Sequence, residues 1–594
     1  MKFPYGLANF EKIISEEYFY VDRTAKIRQI EDIGSTLLFL RPRRFGKSLL
    51  LSMLENYYDV KKAPQFEQLF GHLAIGKNPT AKHNQYLILK WNFSAVMTHG
   101  TEAELKQVLH NHLNGCVNEF ALWYQDILPH QIEIHHEDSI LSFNHVLSVA
   151  RMTPYKVYLL IDEYDNFANE VLMAGESDSK TRYENLIQGE GMLKTIFKAV
   201  KAGLEGRGLD RVFITGVSPV VMSDLTSGFN VARNIYLEPE FNDLCGFWEA
   251  EVAEVLQQVA AECQLSAEQA NEALMMMRTF YNGYSFSYDQ KGLIYNPTLT
   301  LYFLEHFQKG CGYPRNILDT NLSMDRGKIA YVAALPHGNQ VVTQALDETQ
   351  PLAIAELANR FGVTEMLRAG HDATFMVSLL YYFGVLTLTP ERTELGDLIL
   401  RIPNLVIRKL YVEQIAESLL PDFTSKEQAN RVTRVFYQTG DLQPLCDFIE
   451  QSHFKVFDNR DYRWTNELVF KTLFLTLLFN DTFYIMDSEM SLQRDYADLV
   501  MIVRPDMRQF QLLDFLIEFK YVALGEHKLD GEQVREMSLK ELKALKPVKK
   551  KIAEAKKKLV GYRQTLESAY GARLRLHTYC VVSVGYDRLV WVKV

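Results

Sequence analysis

Short apolar runs alternate with amphipathic stretches through the first part of the chain, which predicts an α/β domain on a mainly parallel sheet. Thr36-Leu-Leu-Phe-Leu40, Tyr86-Leu-Ile-Leu89, Val157-Tyr-Leu-Leu-Ile161 and Val212-Phe-Ile-Thr215 read as buried strands, with helical segments such as Glu102 to Tyr124 and Gly191 to Leu204 between them. From Gly246 the pattern turns helical. Glu249-Ala-Glu-Val-Ala-Glu-Val-Leu-Gln-Gln-Val259 and Ala267 to Phe280 carry helix periodicity, and only short strands such as Gly384-Val-Leu-Thr-Leu388 interrupt it before Tyr437. After Trp464 the order is helix, strand hairpin, lysine-rich helix and final strands, Thr578-Tyr-Cys-Val-Val-Ser-Val584 and Leu589-Val-Trp-Val-Lys-Val594. The expected division is therefore an α/β domain over 1–245, a mainly helical region over 246–437, and a smaller α/β domain over 438–594.

Gly46-Lys47-Ser48 lies between a predicted strand and the helix that begins at Leu49, the setting a phosphate-binding loop requires. A helix N-terminus offers unpaired N–H groups to phosphate oxygens, Lys47 adds a point charge, and Ser48 adds a hydroxyl for Mg²⁺. The usual loop has glycine five residues before Gly46, where this chain has Arg41. Downstream, Leu159-Leu-Ile-Asp162-Glu163 is an apolar strand ending in two acids, suited to holding Mg²⁺ (Asp162) and polarising an attacking water (Glu163). Thr215 ends the next predicted core strand; it reads either as a γ-phosphate sensor or as a turn threonine before glycine.

These segments, with Leu40-Arg-Pro-Arg-Arg-Phe-Gly-Lys-Ser48, Phe3-Pro-Tyr-Gly-Leu-Ala-Asn-Phe10, Tyr20-Val-Asp-Arg-Thr24, Ile214-Thr-Gly-Val-Ser-Pro219, Ser227-Gly-Phe-Asn230, Tyr281-Asn-Gly-Tyr284 and Tyr295-Asn-Pro297, resemble the bacterial AAA-ATPase-like family that carries a C-terminal nuclease-like domain. The resemblance covers most of residues 1–300, and in that family arginine at the Arg41 position is the usual form. It implies a P-loop ATPase fold with ATP and Mg²⁺ as ligands. By motif, Arg43, Arg44, Phe45, Gly46, Lys47, Ser48, Asp162 and Thr215 are carried over as nucleotide-site residues, Ser48 and Asp162 as metal ligands, and Glu163 as the catalytic acid. Arg43, Arg44, Arg211 and Arg233 all stay open as an arginine finger. An ATPase without its own finger borrows one from a neighbour, which makes a homo-oligomer an expected partner state.

In the last part of the chain, Asp498-Leu-Val-Met-Ile-Val503 and Leu512-Leu-Asp-Phe-Leu-Ile-Glu518-Phe-Lys520 form the predicted hairpin. Glu518 and Lys520 are two apart on a strand, so they leave one face while Phe519 leaves the other. With Asp498 from the adjacent strand, two carboxylates can hold Mg²⁺ against a phosphate while Lys520 orients water or stabilises developing charge. The alternative is a surface salt bridge at the end of an ordinary hairpin. The series Asn466-Glu467, Ser488-Glu489, Arg494, Asp498, Glu518-Phe-Lys520 resembles the PD-(D/E)xK nuclease-like domain attached to this ATPase family, over about residues 460–594. That resemblance implies Asp498, Glu518 and Lys520 as the catalytic core, Mg²⁺ (or Mn²⁺) on Asp498 and Glu518, Glu467 and Glu489 as auxiliary acids, and nucleic acid, DNA first, as substrate. Two departures stand out: Asp495-Tyr-Ala497 replaces a glycine-containing turn, and Lys558 stands where the following helix often offers glutamine. They leave open a second reading, a nucleotide-dependent switch whose nuclease-like domain grips nucleic acid or a protein without cutting.

Composition narrows the rest. The 594 residues are enough for roughly two to four domains, and 47% hydrophobic with 23% charged residues is a globular balance. A net charge of −10 argues against a protein coated by nucleic acid over its whole surface, but allows a local basic track. Lys540 to Lys558 reads as such a track or as a solvated helix face. Cys116, Cys245, Cys263, Cys311, Cys446 and Cys580 lie far apart without metal-ligand spacing and are expected to be reduced, mostly buried thiols. His135-His136 sits among acids, yet adjacent residues rarely converge on one ion. The first residues lack the pattern of a secretory signal and no run is apolar enough to span a membrane, so cytoplasmic residence is expected.

Overall fold

The computed structural model describes residues 1–96, 101–166, 192–219, 231–289, 292–317, 326–347, 350–358, 361, 372–420, 422–454, 467–487, 490–492 and 495–594. Asn466, Ser488-Glu489, Arg494 and Ser227-Gly-Phe-Asn230 lie outside these residues. The chain forms two compact units. The first comprises Met1–Cys311, Ala334–Gly338 and Ala353–Pro403; the second comprises Gly312–Ala333, Asn339–Leu352 and Asn404–Val594. The span 246–437 is thus divided between them.

The first unit is organised by a five-stranded sheet, β1 (Thr36–Leu40), β2 (Tyr86–Asn92), β3 (Lys156–Asp162), β4 (Leu209–Gly216) and β5 (Arg233–Asn234), in the order β2-β3-β4-β1-β5. All its pairings are parallel. Continuous apolar sequence suits strands covered on both faces, and every residue of β1 is buried. Helix α1 (Lys47–Tyr58) packs on β2 and β3, α2 (Glu102–Trp123) on β2, α3 (Ser139–Ala150) on β3, and α4 (Met192–Leu204) on β4. A capping box between Thr101 and Glu104 starts α2, and Asp138 caps α3 through the N–H groups of Ile140 and Leu141. β4 lies between the strand that feeds the phosphate loop and the strand that ends in Asp162. Consequently all three carry their C-terminal ends, and the residues just beyond, to one edge of the sheet.

The same unit adds α5 (Glu249–Glu262), α6 (Ala267–Tyr281) and α7 (Pro297–Gly310), which pack on one another, and a small sheet of β6 (Leu352–Ile354), β7 (Thr387–Arg392) and β8 (Leu398–Arg401) in the order β6-β8-β7. Asn296 caps α7, with Pro297 in the first turn where its missing N–H costs nothing. Cys263 and Cys311 follow α5 and α7 directly and form a disulfide, with a sequence separation of 48 and a Cα–Cα distance of 5.4 Å. This corrects the expectation that all thiols are reduced. Packing of α5 against α7 brings their C-terminal ends together, which linear spacing does not reveal. Cys116, Cys245, Cys446 and Cys580 are free thiols.

The second unit carries a sheet in the order β15-β14-β13-β12-β9, built from β9 (Tyr484–Asp487), β12 (Leu499–Val503), β13 (Asp514–Val522), β14 (Leu576–Val584) and β15 (Arg588–Lys593), beside a short pair, β10 (Met490–Leu492) and β11 (Asp495–Ala497). β12 and β13 are the predicted antiparallel hairpin, with Leu499 opposite Ile517. β13 and β14 are parallel and are joined through α10 (Lys546–Tyr570), a βαβ crossover. Val548, Ala555, Leu559, Tyr562 and Leu566 of α10 pack into the sheet core, while its lysines at 549, 550, 556, 557 and 558 stay exposed. Phe519 meets Phe470 and Phe474 of α9 (Glu467–Leu478), with ring centroids 5.4 and 5.1 Å away. Helix α8 (Phe423–Thr439) sets Phe436 in a stack against Phe515 at 4.1 Å. Among the described residues no helix is long and apolar enough to cross a membrane.

Candidate functional site

The phosphate loop turns on two left-handed residues, Arg44 (φ 65°) and Gly46 (φ 88°), immediately before α1. Space is open where a Cβ on Gly46 would stand, so the backbone there is accessible to a ligand. Lys47 is buried, and its Nζ donates to the carbonyls of Arg41 and Pro42 at 3.0 Å each. Burial lowers its pKa, against the opposing pull of Glu163 and Asp162. Ser48 Oγ donates to Asp162 Oδ2 at 2.7 Å, and Thr215 Oγ1 donates to Asp162 Oδ1 at 2.6 Å. Asp162 therefore joins the loop to Thr215 at the end of β4. Glu163 holds a left-handed backbone (φ 51°) uncommon for a side chain of its kind. Burial raises its pKa, and Lys47 is the main group opposing that rise.

Arg41 has a different task from the glycine it replaces. Its side chain is 1% exposed and donates to Leu40 O (2.8 Å), Tyr236 O (2.9 Å) and Phe241 O (2.7 Å). The guanidinium carbon lies 4.4 Å from the Phe39 ring centroid and 4.1 Å from that of Phe286. Burial brings its pKa down to about 10, so it remains charged at neutral pH. Phe45 also packs its ring on Phe286 and on Tyr284, at 5.1 and 4.8 Å, which leaves its backbone as the part that can face a phosphate. Thr298 Oγ1 donates to Arg44 O at 2.7 Å. The Tyr281–Tyr284 and Tyr295–Pro297 motifs thus flank residues that buttress the loop.

Of the arginines left open as fingers, Arg43 donates to Asn166 Oδ1 at 2.5 Å. Arg211 is buried and donates to the carbonyls of Ile30 and Gly34, and Arg233 lies 3.7 Å from Glu238. Arg211 is thereby committed to the fold. Asp165, which the sequence did not single out, is 1% exposed and accepts from Val217 N, Ser218 N and Ser218 Oγ at 3.0, 2.8 and 2.9 Å. It fixes the segment after Thr215; its only sequence signal is its place three residues beyond Asp162.

In the second unit Lys520 Nζ gathers three carboxylates: Glu518 Oε1 at 2.9 Å, Asp498 Oδ2 at 3.8 Å and Glu467 Oε1 at 3.9 Å. The predicted residues do converge, and the strand alternation that placed Glu518 beside Lys520 holds. Glu518 is 1% exposed; burial and then Asp498 raise its pKa, with Lys520 and Lys558 opposing. For Lys520 burial works against the charge, but Asp498 and Glu518 outweigh it and keep the ammonium protonated. Lys558 of α10 approaches Glu518 Oε1 at 3.8 Å. Lys471, one helical turn beyond Glu467, pairs with Asp498 Oδ1 at 2.8 Å, and its i, i+4 spacing from Glu467 was the signal for it. Among the described residues no group of three or more His, Cys, Asp or Glu side chains is arranged to hold a metal ion. His135 serves the fold: its N–H donates to Ser142 Oγ and its carbonyl accepts from Asn114.

Residues 4–226 match a family model, AAA-ATPase-like, described as a predicted AAA-ATPase. An uncharacterized protein in the vnfD 5′ region of Azotobacter chroococcum mcd 1 is 24% identical over 450 residues, 75% of this chain and 74% of that protein. Among solved structures, the Aeropyrum pernix Orc1 protein in complex with DNA is 10% identical, with 67% of this chain and 95% of that one covered at a TM-score of 0.25. Cdc6p from Pyrobaculum aerophilum is 9% identical, with 68% and 98% covered at a TM-score of 0.23. Likenesses at those scores carry no argument about fold or function. Over residues 4–226 the chain is thus similar to predicted AAA-ATPases, and the parallel sheet there is an α/β fold consistent with a nucleotide-binding ATPase.

Proposed function

We propose that the chain is an ATP-regulated, metal-dependent nuclease, with ATP held at Arg43–Ser48 in the first unit and phosphodiester hydrolysis carried out at Asp498, Glu518 and Lys520 in the second. The observation that carries the nuclease reading is the convergence of Glu467, Asp498 and Glu518 on one ammonium, Lys520.

The first site fits Mg²⁺-bound ATP on its own chemistry: an open left-handed glycine, a helix N-terminus, a buried lysine and a hydroxyl–carboxylate pair. The backbone from Phe45 to Ser48 and the Lys47 ammonium would hold the phosphates, and Ser48 with Asp162 the metal. Glu163 would take a proton from water, and Thr215, hydrogen-bonded to Asp162, would hold that carboxylate for its part. ATP supplies the anhydride whose cleavage distinguishes two states of the module. With Arg211 committed to the fold, the finger is left to Arg43, Arg44 or Arg233, or to an arginine of a second copy of the chain in a homo-oligomer.

The second site fits a divalent cation in one respect that Asp514, on the same strand, makes visible. Both Asp514 oxygens accept two hydrogen bonds, from Val503 N, Arg575 N and the Arg508 guanidinium. Among the described residues Glu518 Oε2 is buried with no hydrogen-bond partner. An orphaned carboxylate oxygen in a dry setting is costly unless a ligand uses it. Glu518 and Asp498 would hold Mg²⁺ or Mn²⁺, which supplies Lewis-acid activation of water and stabilisation of phosphate charge. Lys520 orients the nucleophile or balances developing charge, and Glu467 is an auxiliary acid. The exposed lysines of α10 favour a nucleic-acid backbone as substrate, DNA first.

The test is cleavage of plasmid and linear DNA by purified protein with Mg²⁺ or Mn²⁺, with and without ATP, beside Asp498→Ala and Lys47→Ala proteins. Cutting lost in Asp498→Ala and altered in Lys47→Ala is expected. Equal, negligible cutting by wild type and Asp498→Ala in every condition would favour the second reading, binding without cutting, to which the lysines on these acids also point. Cutting unaffected by Lys47→Ala would remove the regulation and leave the nuclease.

A further inference from the structure

Among the described residues the acid centre of the second unit is already charge-balanced. Three carboxylates, Glu467, Asp498 and Glu518, face three ammonium groups, Lys471, Lys520 and Lys558. The hydrogen bonds divide the oxygens unevenly. Asp498 Oδ2 accepts the Phe519 N–H at 2.7 Å, which ties it to the neighbouring strand. Asp498 Oδ1 is held by Lys471 Nζ at 2.8 Å. Glu518 Oε1 is held by Lys520 Nζ at 2.9 Å, and of the four oxygens of Asp498 and Glu518, the two acids proposed to hold the ion, Glu518 Oε2 alone has no hydrogen-bond partner among the described residues. A divalent cation needs more than one protein oxygen. The Phe519 bond belongs to the β-hairpin framework and Lys520 to the centre itself, so the oxygen that can be yielded is Asp498 Oδ1. What occupies it is the side chain of Lys471, on α9 and outside the hairpin.

Resting on the metal-centre reading above, we infer that Lys471 is a built-in counter-cation that competes with the divalent ion for Asp498, so that loading the metal requires its ammonium to leave Oδ1. Two cations on one carboxylate oxygen repel strongly in a partly dry site, and Lys471 and Asp498 side chains are only 15% and 11% exposed. A phosphodiester entering the site offers the departing ammonium an alternative anion. Metal and substrate therefore load together, and the centre stays latched in the absence of nucleic acid. Lys471 is a positioning residue in this scheme, acting through Asp498.

The test is Mn²⁺ binding to the full-length chain, followed by electron paramagnetic resonance of the free ion, without nucleic acid. Lys471→Met is expected to tighten Mn²⁺ binding at least tenfold, and Lys471→Gln to do the same. Lys471→Arg, which keeps the charge, should stay within threefold of wild type, as should Lys558→Met, whose side chain is 41% exposed and approaches the already engaged Glu518 Oε1. Asp498→Asn should cancel the gain. Asp498-dependent binding that neither Lys471→Met nor Lys471→Gln tightens, or that Lys471→Arg tightens equally, overturns the inference and leaves the metal centre standing. Binding that is absent in all these proteins, or indifferent to Asp498→Asn, overturns the metal centre and the inference together.

Discussion

Arg41→Ala isolates the side chain that most distinguishes this phosphate loop. Truncation leaves the carbonyls of Tyr236 and Phe241 buried without their donor, at about 2 kcal/mol each. It also removes the contacts with the Phe39 and Phe286 rings, about 1 kcal/mol each. Against this stands relief from burying a charge: a guanidinium pKa brought down to about 10 from its ordinary value corresponds to about 3 kcal/mol. The net expectation is a local destabilisation of about 3 kcal/mol. Because the chain has two units, a single global unfolding free energy is the wrong observable. Amide hydrogen exchange of peptides from residues 36–58 reads the loop region directly, and 3 kcal/mol corresponds to roughly a hundredfold loss of protection. ATP affinity should fall with it, since Arg41 O is one of the two carbonyls that hold Lys47. Exchange within threefold of wild type, with ATP affinity unchanged, would refute the reasoning that the guanidinium clamps the loop.

Gly384 has φ +78°, and a Cβ there would stand 2.5 Å from Pro42 Cγ, so Gly384→Val should displace the loop and weaken ATP binding at least tenfold by calorimetry. Glu163→Gln should abolish ATP hydrolysis while ATP still binds. Burial raises the Glu163 pKa, so in wild type the stability this carboxyl contributes is present in acid and is lost as pH rises through its folded pKa; thermal melts should find Glu163→Gln the more stable protein at pH 7.5, with the difference closing as pH falls through the carboxylate range. A melt difference independent of pH would count against a buried Glu163. The Cys263–Cys311 bond predicts four titratable thiols per chain under denaturing, non-reducing conditions and six after reduction, with reduction costing the first unit up to about 4 kcal/mol for a 48-residue separation.

Local signals carried the elements well. β1, β3 and β4 emerged from unbroken apolar runs, and the Glu518–Lys520 pairing from strand alternation alone. What escaped was set by tertiary closure. The disulfide depends on how α5 and α7 pack, and Asp165 acts through backbone N–H groups more than fifty residues away. Arg41 was legible only as a missing glycine, because its partners are carbonyls of Tyr236 and Phe241, which no side-chain pattern marks. Lys471 was within reach, since a residue four beyond Glu467 on a helix shares its face. The division of 246–437 between two units escaped because no glycine- or proline-rich linker marks it.

All of the nucleotide chemistry rests on the loop from Arg41 to Ser48 receiving phosphate. Isothermal titration of Mg²⁺-ATP into wild-type and Lys47→Ala protein addresses that step alone. Saturable binding to wild type, weakened at least a hundredfold by Lys47→Ala, is the predicted result. Equal affinity in the two proteins would contradict it and leave the buried lysine with a purely structural role.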